Sequence, residues 1–582
     1  MIRSIINSII IVLAAGLVFP SFSSADKKQH LFKAMGAPAE RKVDVSWNRF
    51  NDTKGIEDIL RKLNRAYPKL TKLYSIGQSH EGREMWCLEV TNRKNGVPAR
   101  KPGMYIDGNI HGNEVQAGEV VAYTAWYLCE SYDENEKVAD LLDTFVFYLI
   151  PTINPDGRDH WFYEANTPHS SRTGRVPVDN DRDGLFDEDD TDDLDGNGSI
   201  TMMRIKDANG RRKKHPDYPE SLMVSVKNDE RGEYTILGWE GIDNDGDGRI
   251  NEDGAGGYDP NRNWAYDWQP EYVQGGAIDY PFSLPNTRAV AEFVLAHPNI
   301  AAMQSYHNAG GMILHGPGRE GGVMESADEY VLNAIAQRGE QMLPFYRNMV
   351  LWKDLYSVWG GEFDWFYGAR GILSYTNELW TPKNMFRSDN TNQEAQADFN
   401  KYLLLNEAAV EWKEYDHPTY GTIEIGGRRK EFGRVPPSFL LEEECHRNMA
   451  FTLYHASCMP RISFGELSVE KIGTDLFKVW VEVCNDSMMS TRSQHEAKQQ
   501  ITTPDIISLQ GKNTKVISAG YIEDRHFKKV KPVHIRPQRV MVHLVPGMNS
   551  TRIQFIAQGR GKAKITYDSI KGGLIEKEIT LK

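Results

Sequence analysis

Cysteine is scarce in this chain of 582 residues, which contains only Cys87, Cys129, Cys445, Cys458 and Cys484. The number is odd and no two of them form a CxxC pair, so the sequence excludes a disulfide framework and a CxxC metal site. A single disulfide remains open. At this length, and with 40% hydrophobic residues, we expect a soluble globular protein of two or more domains.

Long apolar runs are also missing. The run over 9–19 follows a basic Arg3 and precedes the small residues Ser23 and Ala25. It is shorter than the roughly 20 residues that span a bilayer, and this pattern is typical of a secretory signal peptide. We therefore predict a signal peptide over 1–25, a linker over 26–43, and export to the periplasm or the cell exterior. A permanent membrane anchor is the less favoured alternative.

Net charge is nearly absent outside two short segments. Residues 179–198 contain ten acidic residues against Arg182, and residues 243–254 contain five against Arg249. These two segments account for the formal net charge of −13, so the rest of the chain is close to neutral. Such local charge favours cation binding and argues against a nucleic-acid partner.

Strand and helix patterns alternate between about residues 44 and 409. Strand-like runs such as GMYIDGNI and TFVFYLIPTI alternate with helical patterns such as NEVQAGEVVAYTAWYLCESY. This alternation predicts an α/β fold with a mixed, largely parallel sheet flanked by helices. Sites in such folds lie beyond the carboxyl ends of strands, where His111, Asn154, His307 and Glu378 are expected.

The pattern changes near residue 461 to short β runs separated by Gly, Asn, Asp and Pro. We predict a catalytic domain over 44–460, with an acidic insertion over about 175–257, and a C-terminal β-sandwich over 461–582. No solenoid repeat is visible, and the acidic loops are the only internal repetition.

The stretch GNIHGNEVQAGEVV contains an HxxE pair, His111 and Glu114, where a strand is expected to turn into a helix. The pair can supply two ligands of one metal ion, although a charged helix start is the commoner meaning of a lone pair. Its companions are NPDG, TMMR, YDPNRNW, SYHNAGG, LYSVWGGEFDW and SYTNELW. In this order the motifs resemble the zinc metallocarboxypeptidases of the carboxypeptidase A and B type, and the HGNE form resembles their N, E and D branch.

The resemblance implies that His111, Glu114 and His307 bind one catalytic zinc ion. Two imidazoles and a carboxylate suit zinc and leave a fourth position for water. Asp259 matches a residue that orients the first histidine, and such a carboxylate fixes the tautomer of the ring.

Glu378 resembles the general base and acid that takes a proton from the attacking water and delivers it to the leaving amine. A buried structural ion pair is the alternative role for this carboxylate. Arg204, at the end of TMMR, resembles the cation that stabilises the oxyanion, although it follows an acidic loop rather than the usual context of that residue.

The same resemblance implies that Asn261 and Arg262 bind the carboxylate at the end of a peptide and that Tyr356 covers it. Arg262 in a structural ion pair is the alternative. Phe363 falls at the floor of the pocket for the terminal side chain, which predicts neutral or apolar terminal residues unless Glu362 turns inward. Asn113 replaces an arginine of pancreatic-type members, so contacts with longer substrates are expected to differ.

Three segments in the insertion follow the DxDx[DN]G pattern of calcium loops, in which alternate oxygen ligands surround a hard cation and glycine permits the turn. None has the glutamate that usually closes the loop at position twelve, so Asp187, Asp190, Glu252 or Asp253 is expected to complete the shell. A solvated acidic linker is the alternative. The candidate calcium ligands are Asp179, Asp181, Asp183, Asp187, Asp190, Asp193, Asp195, Asn197, Asp243, Asp245 and Asp247.

These features predict an exported zinc carboxypeptidase that acts on peptides with a free C-terminus and carries structural calcium. One alternative keeps the site but acts on peptidoglycan stem peptides. Another is a noncatalytic, calcium-stabilised binding module. A deacylase of the aspartoacylase type shares HGNE, but the region around Tyr356 argues against it.

Overall fold

The structure is a computed structural model that describes residues 35–524, 526 and 529–582. The predicted signal peptide over 1–25 lies outside these residues. The part before residue 461 contains the following helices and strands: α1 Thr53–Ala66, β1 Thr71–Gln78, β2 Glu84–Val90, β3 Gly103–Gly108, α2 Val115–Ser131, α3 Glu136–Thr144, β4 Val146–Ile150, α4 Pro155–Tyr163, β5 Met202–Lys206, β6 Arg212–Lys214, β7 Met223–Ser225, β8 Tyr234–Trp239, α5 Pro285–Ala296, β9 Ile300–Asn308, β10 Met312–His315, α6 Ser326–Met342, β11 Arg347–Val350, α7 Leu351–Asp354, α8 Glu362–Arg370, β12 Leu373–Leu379, α9 Gln393–Leu403, β13 Ala409–His417, β14 Gly421–Arg428 and α10 Ser438–Ser457.

The C-terminal part continues with β15 Ile462–Lys471, β16 Leu476–Asn485, α11 Gln494–Gln499, β17 Asp505–Gln510, β18 Thr514–Asp524, β19 Lys529–Val533, β20 Arg539–Val542, β21 Asn549–Gly559, β22 Gly561–Ser569 and β23 Gly573–Leu581. Short 3-10 helices occur at Arg93–Asn95, Pro98–Arg100, Pro260–Arg262 and Pro382–Asn384.

An eight-stranded sheet forms the centre of the part before residue 461, with the strand order β1-β2-β4-β3-β9-β12-β10-β11. The central pairs β4-β3, β3-β9 and β9-β12 are parallel, whereas β1-β2, β2-β4 and β12-β10 are antiparallel. β4 reads as an unbroken apolar run because both of its faces are buried, and β3 is buried throughout although it includes Asp107. The predicted α/β fold with a mixed, largely parallel sheet is confirmed.

Helices cover both faces of this sheet. One face packs against α1, α2 and α10 through residues such as Leu60, Val121 and Phe451. The other face packs against α5 and α8 through residues such as Phe293 and Phe366. Side chains alternate along a strand, so Asp107, Ser305 and His307 lie on the α8 face.

A second sheet of six strands contains most of the ordered structure of the insertion. Its order is β13-β14-β5-β8-β6-β7, so strands β13 and β14, which follow the main sheet in the sequence, complete a sheet begun in the insertion. The acidic loops precede β5 and follow β8. The insertion is thus attached to the body by a continuous β-ladder between β14 and β5.

The C-terminal part contains a five-stranded and a four-stranded antiparallel sheet. Their inner faces share one apolar core that includes Val479, Phe555 and Ile565, as expected for two packed sheets. All five cysteines lie within the described residues and are free thiols. Among the described residues, no helix is both long and apolar enough to cross a membrane.

Candidate active site

Three neighbouring strands bring the main polar residues together at one edge of the sheet. His307 near the end of β9 pairs in register with Glu378 near the end of β12. Strand β3 lies on the other side of β9, and the turn after it, in which Asn109 has φ 61°, leads to His111. Glu114 follows at the start of α2. The carboxyl ends of parallel strands therefore form the site, as predicted.

The side chains of His111, Glu114 and His307 converge on one point and are buried. Nδ1 of His111 lies 3.0 Å from Oε1 of Glu114, and Nδ1 of His307 lies 3.0 Å from Oε2 of Glu114. The two histidine Nδ1 atoms are 3.1 Å apart. The three predicted ligands thus present three donor groups to one another at a spacing that suits a shared cation.

Asp259 determines the tautomer of His111. Its Oδ1 lies 2.9 Å from Nε2 of His111, and because an ionised carboxylate only accepts hydrogen bonds, Nε2 must carry the proton. Nδ1 of neutral His111 therefore presents a lone pair to Glu114 and His307. When both rings are protonated instead, their charge outweighs the effect of burial and holds the pKa of Glu114 well below its usual range.

Glu378 lies beside this cluster and is partly exposed to solvent. Burial, followed by the negative charge of Glu114, raises the pKa of Glu378 to about 7, although His307 and Arg172 oppose the shift. A carboxyl group with a pKa near neutrality can both accept and return a proton.

The structure does not place Arg204 at the site, so the predicted oxyanion role of this residue is wrong. Arg204 lies on β5 in the six-stranded sheet and is 0% exposed. Its Nε donates to Glu424 over 2.7 Å, and its guanidinium stacks on Tyr234 and Trp412. The arginine is a structural ion-pair partner because TMMR forms a strand of the insertion.

Arg172, which the sequence analysis did not single out, brings a positive charge to this cluster. Its guanidinium donates to Oε1 of Glu114 over 3.0 Å and to Oδ2 of Asp259 over 3.2 Å. The segment of Arg172 is held against the turn after β3, because N–H of Gly112 donates to its carbonyl. A Cβ on Gly112 would lie 2.3 Å from the Ser171 carbonyl oxygen, so this approach requires glycine. The available signal was a basic residue between NPDG and the first acidic loop.

Asn261 and Arg262 follow Asp259 in the same short 3-10 helix. Asn261 accepts the N–H of Glu362 and so connects this segment to the start of α8. Arg262 is 9% exposed, and its Nε is buried without a hydrogen-bond partner among the described residues. Such a guanidinium retains a free donor for a ligand. Tyr356 is 55% exposed and precedes the Gly360 turn, whose carbonyl accepts from Trp264.

Glu362 turns inward, and Phe363 packs elsewhere. Phe363 lies in an apolar cluster with Leu314, Met349, Leu351 and Val358. Glu362 is fully buried on the α8 face of the main sheet, where it accepts from Ser305 and neighbours Asp107. Burial, with a further contribution from Asp107, raises the pKa of Glu362 well above its usual range. Two carboxyl groups therefore lie one row of residues below His307 and Glu378.

The three acidic loops share one backbone arrangement. In each loop the first aspartate, Asp179, Asp193 or Asp243, accepts the N–H of the sixth residue, a glycine. The aspartates at alternate positions of the first loop, Asp179, Asp181 and Asp183, form a compact oxygen cluster. The carboxylates of Asp187 and Asp190, however, accept backbone N–H groups of Val178, Thr191 and Ala255.

Comparisons with known proteins agree with this geometry. A family model described as zinc carboxypeptidase, of the peptidase M14 family, matches residues 56–211 and 229–401. Residues 461–580 match a family described as a domain of unknown function.

Among curated relatives, carboxypeptidase D of Anas platyrhynchos is 36% identical over 115 residues, which are 20% of this chain and 8% of the relative. Carboxypeptidase E of Caenorhabditis elegans is 32% identical over 129 residues, 22% of this chain and 27% of the relative. The chain thus matches well under two thirds of the length of these relatives. A solved structure of thrombin activatable fibrinolysis inhibitor aligns with a TM-score of 0.44 and 16% identity, over 72% of this chain and 79% of the other.

Because the family model spans more than half of the sequence, the chain belongs to the zinc carboxypeptidase family of metallopeptidases.

Proposed function

We propose that this protein is a zinc-dependent carboxypeptidase that hydrolyses the last peptide bond of a peptide with a free C-terminus. The observation that carries the proposal is the convergence of His111, Glu114 and His307 beside Glu378. Nδ1 of His111, Nδ1 of His307 and the Glu114 carboxylate lie 3.0–3.1 Å from one another, and a lone pair on each suits a shared cation better than a closed polar network. When bound there, zinc would supply a Lewis acid that polarises the scissile carbonyl and acidifies water.

Side chains of the protein carry out the other steps of the reaction. Glu378 accepts a proton from the attacking water and returns it to the amine as the bond breaks. Arg172, rather than Arg204, supplies the positive charge that stabilises the carbonyl oxygen as it becomes negative. Arg262 and Asn261 bind the terminal carboxylate, and exposed Tyr356 is free to move over it. Binding of the chain end positions the last peptide bond, which makes the enzyme an exopeptidase.

We infer that the buried pair Glu362 and Asp107 faces the terminal side chain of the substrate. The start of α8 is fixed to Asn261, and Asp107 lies in register with Ser305 on the sheet face that carries His307 and Glu378. A carboxyl pair beneath the scissile bond favours a side chain that brings N–H donors, such as lysine or diaminopimelate. We propose this pair in place of the apolar pocket floor predicted from Phe363.

Export and calcium binding complete the proposal. The N-terminal sequence supports a signal peptide and thus a periplasmic or extracellular protein. The oxygen clusters of the insertion support calcium as its structural ion.

The experiment is release of C-terminal residues from a mixed peptide library, with muropeptides as a second substrate set. Wild type and Glu378→Gln would be compared, and bound zinc would be measured in both. We expect release by wild type, and loss of release with zinc retained in the variant. Zinc binding without any release from ordinary peptides would contradict the proposal, and release from muropeptides alone would assign the substrate to cell-wall stem peptides.

A further inference from the structure

Two of the acidic loops are copies of one another. The segments DNDRDGLFDEDD over 179–190 and DNDGDGRINEDG over 243–254 both begin with three aspartates at alternate positions. Gly184 and Gly248, at the sixth position of each, have φ values of 100° and 94°, which L side chains rarely adopt. Each copy then carries an acidic pair, Glu188-Asp189 in the first and Glu252-Asp253 in the second.

The structure joins the two copies at equivalent residues. Asp189 and Asp253 form an isolated antiparallel β-bridge, in which N–H of Asp189 donates to the Asp253 carbonyl over 3.3 Å. Side chains of each loop also form hydrogen bonds with the other loop. Asp253 accepts the N–H of Asn180 in the first loop, and Asp189 accepts Nδ2 of Asn244 in the second loop. The two loops therefore face one another with an approximate twofold relation.

The carboxylate clusters draw their oxygen atoms from both loops. Asp181, Glu188 and Asp253 have oxygen atoms within 4.8 Å of one another, as do Asp181, Asp247 and Glu252. A third such cluster consists of Asp183, Glu188 and Asp245. Each of the three clusters contains residues of the first and of the second loop, so neither loop is complete on its own.

Buried oxygen atoms in these clusters lack partners. Asp253 is 0% exposed, and its Oδ2 has no hydrogen-bond partner among the described residues. The same holds for one buried carboxylate oxygen of Glu188 and one of Glu252. The two loops hold twelve acidic residues against Arg182 and Arg249, and both arginine side chains extend into solvent. Unpaired buried carboxylates are costly, so the two loops together favour a bound cation.

The chemistry of the donors selects the ion. The two segments contain no histidine and no cysteine, and their ligands are carboxylate, amide and carbonyl oxygens. Such a flexible all-oxygen set suits calcium, whereas magnesium demands a small octahedral site and zinc prefers nitrogen or sulfur.

In the sequence, the paired loops also lie between two segments whose residues contact the candidate zinc ligands. The segment that ends in the first loop carries Arg172, and the segment that leaves the second loop carries Asp259. Two hydrogen bonds connect these segments next to the loops. N–H of Val176 donates to Tyr258 Oη over 3.2 Å, and Nδ2 of Asn180 donates to the Gly254 carbonyl over 3.0 Å.

We propose that residues 179–190 and 243–254 form one paired calcium centre, in which each loop supplies ligands to the ion of the other and which holds Arg172 and Asp259 at the zinc residues. The centre binds two ions cooperatively. Its influence on catalysis rests on the proposed peptidase function, whereas its binding and ordering effects do not.

The first test counts calcium bound to the zinc-loaded full chain by equilibrium dialysis. We expect Asp253→Asn and Asp181→Asn each to lose two ions, because each side chain belongs to a carboxylate cluster that draws on both loops. Asp195→Asn, in the separate loop over 193–204, serves as the control and should lose at most one. Loss of at most one ion in Asp253→Asn would overturn the pairing. Should these variants fail to fold, noncooperative calcium binding by wild type would overturn it equally.

The second test measures amide hydrogen exchange with and without calcium. We expect calcium to slow exchange at least tenfold in residues 171–178 and 258–263. Unchanged exchange in both segments would overturn the ordering role. If the chain also proves to be a peptidase, kcat/KM should fall roughly ten- to a hundredfold without calcium, as when a residue that supports a metal ligand is lost. Failure of peptide hydrolysis would leave the calcium count and the exchange data as independent readouts.

Discussion

At the scale of single residues, Arg172 and Arg204 carry the same charge but differ in their surroundings and therefore in their roles. Arg172 is partly exposed and contacts Glu114 and Asp259 at the candidate zinc site. Arg204 is enclosed by Glu424, Tyr234 and Trp412, away from that cluster. The first is free to meet a substrate, whereas the second can only stabilise the fold.

Replacement of each arginine by alanine should separate these roles. We expect Arg172→Ala to lower kcat/KM roughly 100- to 1,000-fold with little change in the unfolding temperature. Arg204→Ala should instead destabilise the fold by about 3 kcal/mol, because it leaves largely buried Glu424 with only the exposed Lys206, 3.6 Å away, and removes the packing on Tyr234 and Trp412. Kinetics, bound zinc and thermal unfolding of both variants check the prediction, and a catalytic loss confined to Arg204→Ala would contradict it.

The terminal side chain of the substrate provides a second test at this scale. If Glu362 and Asp107 face it, wild type should prefer terminal lysine to terminal phenylalanine, and Glu362→Gln should reduce that preference at least tenfold, about 1.4 kcal/mol. Phe363→Leu is the matched control and should leave the ratio of kcat/KM values nearly unchanged. The opposite pattern would restore Phe363 as the pocket floor.

At the scale of elements, α10 covers one face of the main sheet and buries a carboxyl group there. Tyr346 Oη and Asn384 Nδ2 donate to Glu444 over 3.0 and 2.8 Å. These two hydrogen bonds do not fully replace the hydration that the carboxylate loses, so burial raises the pKa of Glu444 to about 7. Glu444 therefore lowers the free energy of unfolding by an amount that depends on pH.

The sign of this cost follows from proton linkage. Between about pH 4.5 and 7 the folded state binds the proton of Glu444 more tightly than the unfolded state, so this group makes stability fall as pH rises. Above pH 7 the full cost, on the order of 3 kcal/mol, is present. Glu444→Gln should therefore gain stability relative to wild type as pH rises from 4.5 to 8. Parallel curves of unfolding free energy against pH for the two proteins would contradict this.

At the scale of the whole molecule, the C-terminal part packs against the back of the helix that begins beside Asn261. His495 in α11 lies 2.9 Å from the Gly368 carbonyl, and Gln494 N–H donates to Asp328. Buried Lys571 donates to Glu496 and to the Arg370 carbonyl at the end of α8. We propose that this part supports the substrate side of the site from behind.

Deletion of residues 461–582 should therefore lower the thermal stability of the remaining chain. The deletion exposes the end of α8 and leaves Asp328 without the backbone donors of α11. We expect a lower unfolding temperature and weaker substrate binding, measured by calorimetry and by KM. An unfolding temperature and KM equal to those of the full chain would show that the β-sandwich is independent of the catalytic part.

Short-range pattern was sufficient for much of the molecule. An unbroken apolar run such as that of β4 identifies a strand that is buried on both faces, and the spacing of His111 and Glu114 after a strand end brings both side chains to one point. These features depend on residues close together in sequence, so periodicity and motif order predict them. The domain boundaries near residues 44 and 461 stay predictions.

The sequence by itself determined the fold class, the family and the candidate metal residues, because each rests on local pattern or on motifs in a fixed order. Only the tertiary structure decided which arginine reaches the metal cluster, that Glu362 turns inward, and that two acidic loops share their carboxylates. Each of these depends on contacts between segments distant in the chain, such as Arg204 with Glu424 or Asp189 with Asp253. Such contacts follow from how β-ladders and loops meet in space, which leaves no periodic signal in the sequence.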